Sequence, residues 1–106
     1  MDTYNWDRLP VEQVIPGVTR QVIHTPSMTI LQLKFNRGAL VAMHSHFHEQ
    51  VSMLMKGKVR FELDGQEIHL QAGEILRIPS NALHSAEALE DAVLLDVFTP
   101  ARTDWQ

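Results

Sequence analysis

Two short segments concentrate the chemistry available to this chain. Met43-His44-Ser45-His46-Phe47-His48-Glu49-Gln50 gathers three imidazoles and a carboxamide, and Pro79-Ser80-Asn81-Ala82-Leu83-His84 adds another imidazole further on. Successive side chains of an extended strand alternate faces, so His44 and His46 on one strand turn both rings to the same side. Nitrogen and oxygen donors there suit borderline and hard divalent ions. A helix fits less well, because residues two apart on it do not face each other and the helical zinc pattern spaces its histidines by four with a glutamate between. His44, His46, Gln50 and His84 are therefore the candidate ligands of one metal site. His48 continues the alternation, but the chain must turn to bring Gln50 in, which leaves His48 as part of the wall behind the ligands.

The elements that must hold these groups read as short strands. Residues 19–24, 28–35, 50–56, 58–63, 66–70, 75–78 and 93–98 are rich in β-branched and aromatic side chains or alternate in polarity. Leu31, Leu33 and Phe35 share one face of their strand; Val59, Phe61 and Leu63 face the core while Lys58, Arg60 and Glu62 face solvent. Asp64-Gly65 is a two-residue hairpin signal, and Pro79 marks a strand end because it cannot donate to a ladder. In the last strand Asp96 falls on the face of Leu94 and Phe98, a carboxylate in otherwise apolar company. Gln13, Val14 and Ile15 read as a turn or arm, and Glu87, Glu90 and Asp91 as a solvated loop. Met43, Met53, Met55, Phe47 and Leu83 read as apolar wall or core, with Trp6 and Trp105 covering the domain or a partner. No long helix and no internal repeat is evident. Many short strands with regular turns predict a closed or sandwiched antiparallel sheet; a barrel or jelly roll would bring the two histidine segments together across its interior, and a small sandwich with no pocket satisfies the same alternation.

Composition narrows the function. At 106 residues the chain is one domain, with residues 1–18 an N-terminal arm or edge segment, and so small a barrel favours a homodimer. Hydrophobic residues make up 44% and charged residues 21%, the balance of a soluble globular protein, and no apolar run is long enough for a membrane span. The first residues are acidic and polar rather than basic then apolar, so the expected location is the cytoplasm. The absence of cysteine removes disulfides, thiolate ligands and thiol nucleophiles. Nine Lys and Arg residues are scattered through a chain of net charge -4, which argues against nucleic acid but allows an anionic small molecule held by one well-placed arginine.

At the histidine segments the chain resembles the cupins. Gly38, five residues, His44-Ser45-His46, three residues, Gln50, six residues and Gly57 match the first motif of that family; Gly73, five residues, Pro79-Ser80-Asn81, two residues and His84 match the second. Gln50 stands where glutamate is usual and Asn81 where glycine is usual, and asparagine also tolerates a left-handed backbone. His-Ser-His-Phe-His-Glu-Gln together with Leu94-Leu95-Asp96-Val97-Phe98-Thr99-Pro100-Ala101-Arg102 is similar to the small single-domain cupins of pectin and alginate degradation that linearise 4,5-unsaturated uronates.

That resemblance implies an all-β, cupin-type antiparallel barrel (jelly roll) and one divalent ion per chain, zinc, nickel, iron or manganese. It implies a catalytic group of Asp96 for proton transfer, Arg102 to clamp the substrate carboxylate and Phe98 to wall the sugar ring. The substrate would be a small anionic sugar acid, opened to a linear keto acid. An iron-dependent dioxygenase and a sugar-acid binding or sensing cupin are the alternatives within the same fold.

Overall fold

The structure, a computed structural model, describes residues 1–105. A 3₁₀ turn at Trp6–Arg8 leads into β1 (Glu12–Ile15), β2 (Val18–His24), β3 (Thr29–Phe35), β4 (Leu40–His44), β5 (Glu49–Lys56), β6 (Lys58–Leu63), β7 (Gln66–Gln71), β8 (Ile75–Ile78), β9 (His84–Ala88) and β10 (Ala92–Thr99), with a second 3₁₀ turn at Thr103–Trp105. The strands form two antiparallel sheets, ordered β1-β2-β3-β10-β5-β8 and β4-β9-β6-β7. This is a jelly roll whose two sheets face each other without joining into one closed ring of backbone pairs. No helix among the described residues is long and apolar enough to cross a membrane.

Alternation places the core as the sequence predicts. In β6, Val59 and Phe61 are buried while Lys58, Arg60 and Glu62 are exposed. Leu54 of β5, Ile78 of β8 and Leu94 of β10 meet them from the facing sheet, and each fully buried aliphatic side chain of this kind contributes roughly 1.5–3 kcal/mol. Asp64 and Gly65 both take positive φ, 47° and 82°, which is the backbone that a two-residue hairpin joining twisted strands requires. At Gly57 a Cβ would stand 2.3 Å from the Asp91 carbonyl oxygen, so only glycine lets the β5–β6 turn lie against the start of β10.

Three expectations change. Gln13 and Ile15 belong to β1, an edge strand paired with β2. Glu87 is on β9, not in a loop; its carboxylate pairs with Arg60 of the adjacent β6. Glu90 and Asp91 do form the turn before β10, where Asp91 accepts a 2.8 Å hydrogen bond from the Arg37 backbone. Met43, Phe47, Met55 and Leu83 are exposed rather than walls of the core. β4 is an edge strand, and the chain leaves the sheet after it, so side chains on both its faces lie open.

Candidate active site

His44 closes β4 and His84 opens β9, directly opposite one another in the antiparallel register, with ring centroids 4.3 Å apart. Alternation predicts one strand for His44 and His46, but β4 ends at His44 and His46 lies in the bend between β4 and β5. That bend is fixed from the second histidine segment. The Asn81 amide donates to the His46 carbonyl at 2.8 Å, and the Ser80 hydroxyl donates to the carbonyl of Phe47. Asn81 takes φ 66° to do so, the left-handed conformation foreseen for it. One ring nitrogen each of His44, His46 and His84 lies within 4.8 Å of the others.

The hydrogen bonds at the far side of each ring fix its tautomer. Nδ1 of His44 is 2.8 Å from the Ala42 carbonyl, that of His84 is 2.8 Å from the Ala82 carbonyl, and that of His46 is 3.0 Å from the His48 carbonyl. A carbonyl can only accept, so each Nδ1 carries the proton and each Nε2 presents a bare lone pair. Gln50, on β5, has its Oε1 at 3.1 Å from the His46 Nε2, while its Nε2 donates to Ser52 Oγ at 2.9 Å and Asp96 Oδ2 at 3.3 Å. Two lone-pair atoms therefore face each other across His46 and Gln50. Protonation does not relieve that contact, because burial, with the charge of Arg102, pushes His46 down to about 4. Burial also holds His84 below the usual histidine range, and its buried Nε2 has no protein partner. Three neutral imidazole nitrogens and a carboxamide oxygen, each oriented from behind by a hydrogen bond, fit a divalent ion. A cation turns the lone-pair repulsion into attraction.

Asp96 sits on β10 opposite Ser52, 4% exposed, with Oδ1 unpartnered. Burial pushes its carboxyl up to about 7 against the weaker opposing pull of the Ser52 hydroxyl. Phe98, two residues on and on the same face, sets its ring 5.5 Å from that of His46. Arg102 follows β10 with its backbone N–H on the Thr29 hydroxyl at 2.8 Å. Its guanidinium lies 4.9 Å over Phe98 and 4.0 Å over Trp105, and forks onto Asp104 at 3.1 and 2.9 Å. His44, Gln50, His84, Asp96, Phe98 and Arg102 all line one cavity of about 270 Å³ whose remaining wall is largely apolar. His48 does not line it; it is buried beside His46 with both ring nitrogens unpartnered and its pKa lowered by burial.

Four neighbours of this site escaped the sequence reading. Arg20 and Trp105 line the same cavity, Asp104 holds the Arg102 fork, and Ser52 joins Gln50 to Asp96. Only Ser52 left a local signal: the buried face of β5 runs Gln50, Ser52, Leu54, so strand alternation carried on from Gln50 points at its hydroxyl neighbour.

A jelly roll with a histidine triad at the meeting of its two motif segments defines a cupin, and the family description "Cupin domain" matches residues 32–98: the chain belongs to that family. It is similar over its full length to the KdgF of a Halomonas species, with 31% identity, a TM-score of 0.94, and coverage of 100% of this chain and 99% of that one. An RmlC-like cupin from Shewanella frigidimarina shares 28% identity over 97% of this chain and 94% of its own, with a TM-score of 0.92. The salicylate 1,2-dioxygenase of Pseudoaminobacter salicylatoxidans covers 81% of this chain and 28% of its own at 17% identity and TM-score 0.78, a likeness of fold alone. No curated protein matches by sequence.

Proposed function

We propose that this chain is an enzyme that opens the ring of 4,5-unsaturated monouronates to linear 5-keto-4-deoxyuronate, working as a single cupin domain over residues 1–106, as a homodimer and in the cytoplasm. The observation that carries the reading is the full-length similarity to the Halomonas KdgF, joined to a cavity in which Asp96 and Arg102 stand with the histidine cluster. The sequence resemblance to the uronate-linearising cupins supplies the reaction.

The substrate is a cyclic hemiacetal whose ring oxygen is also an enol-ether oxygen. Loss of the proton from the C1 hydroxyl lets C1 become an aldehyde as the bond from C1 to the ring oxygen breaks. The electron pair passes to that oxygen as an enolate, and a proton added at C4 completes the keto form. Asp96 is the group assigned to the proton, with Oδ1 unpartnered and Oδ2 held by Gln50. Arg102 orients the substrate carboxylate, its guanidinium already held over the Phe98 and Trp105 rings, and Phe98 closes the apolar side of the ring. Substrate must share the Arg102 guanidinium with Asp104. His44, His46, His84 and Gln50 would hold one divalent ion, zinc, nickel, iron or manganese, which when bound supplies Lewis-acid stabilisation of negative charge on oxygen. No change of oxidation state is needed.

Ultraviolet absorbance of the conjugated C4=C5 bond tests the assignment. Metal-loaded protein should accelerate its loss over the rate in buffer. A trace identical to buffer would leave binding without turnover as the better account.

A further inference from the structure

We infer that Ser52 is a positioning residue of the candidate metal centre, its hydroxyl fixing which end of the Gln50 amide faces the histidines. The inference rests on the reading of Gln50 as a ligand. The two ends of a carboxamide are almost identical in shape, and only the oxygen can ligate. Turned over, Gln50 would aim N–H groups at the imidazoles and its oxygen at Asp96 Oδ2. The Asp96 carboxylate, 3.3 Å from Gln50 Nε2, can only accept, and Ser52 Oγ, closer at 2.9 Å, opposes that turn as an acceptor because its own proton goes to the Asp96 carboxylate.

The position of Ser52 suits this role. It is fully buried on β5, two residues from Gln50 on the same face and opposite Asp96 in the register. The next residue on that face is Leu54, so an apolar side chain would be the ordinary occupant. A buried hydroxyl costs free energy unless it is bonded, and its partners are the Gln50 amide, which donates to it, and the Asp96 carboxyl. Glutamate at position 50 would not need such a guide, since its two oxygens are equivalent. Ser52 is thus the companion that a carboxamide ligand requires, which predicts that its value depends on Gln50.

Cobalt(II) titrated into metal-free protein tests this through affinity and through its visible absorption bands, which report the ligand field directly. Ser52→Ala should weaken cobalt binding about tenfold or more and shift the bands, the usual scale for removing a partner that orients a ligand. Ser52→Thr, which keeps the hydroxyl, should bind and absorb as the parent does. In a Gln50→Glu background, Ser52→Ala should change affinity by no more than roughly twofold, the tolerance expected of uncoupled sites. Parent-like affinity and bands in Ser52→Ala would overturn the inference, as would an equal loss with and without Gln50. If Ser52→Ala fails to fold, Ser52→Cys, of similar size but a weak hydrogen-bonding partner, is read by the same criteria. Failure of the parent to bind cobalt would instead overturn the metal centre, and the role of Ser52 with it.

Discussion

A carboxamide at position 50 changes what its neighbours can do. Gln50 lowers the negative charge around a bound cation by one relative to glutamate, leaving the ion a stronger Lewis acid, and its N–H donates to Asp96 where a carboxylate would repel it. Gln50→Glu should therefore retain metal, because an oxygen stays at similar reach, yet open the substrate ring more slowly. His46→Ala deletes an imidazole whose tautomer is already set by the His48 carbonyl, and should strip the metal or weaken it strongly. Elemental analysis of the two variants, purified alike, separates these outcomes; full occupancy in His46→Ala would mean that the ligand set is wrong. Arg102→Lys keeps a positive charge but loses both the fork and the guanidinium contacts with the Phe98 and Trp105 rings. Steady-state kinetics should show KM raised at least tenfold, with a smaller fall in kcat. An unchanged KM would place the substrate carboxylate elsewhere.

Strands carry these side chains, and the interior of β5 is their foundation. Leu54, 1% exposed, lies on the face that also bears Gln50 and Ser52, so Leu54→Ala should cost about 3 kcal/mol in denaturant unfolding; a loss under about 1 kcal/mol would mean that the site refills. Most of this framework was legible in the sequence. β6, β8 and the Asp64-Gly65 turn stand where alternation and turn chemistry put them. β9 was not legible, because its buried face is His84, Ala86 and Ala88, and alanine is a weak strand former that leaves no hydrophobic alternation to see. The candidate ligands were legible by type and spacing, but the strand break after His44 was not, since it depends on Ser80 and Asn81 bonding the bend from a distant segment. Arg20 and Trp105 reach the cavity only through tertiary folding, so no spacing announced them.

At the scale of the whole molecule, exposed Leu40, Met43, Phe47 and Leu83 leave apolar surface around the ends of β4 and β9, which supports the proposed homodimer. Light scattering should give twice the chain mass across a wide range of concentrations; monomer mass throughout would remove the dimer. The proposed function turns on Asp96 moving the proton which opens an unsaturated uronate. The direct measurement is an NMR time course of freshly generated 4,5-unsaturated monouronate with metal-loaded parent and metal-loaded Asp96→Asn protein. The parent should replace the anomeric C1 and vinylic C4 signals with those of the linear keto acid faster than buffer does. Asp96→Asn, folded and metal-bound, should fall at least a hundredfold below it, the scale of a lost general base. Ring opening by Asp96→Asn at the parent rate would contradict the role of Asp96, and a parent no faster than buffer would contradict the reaction itself.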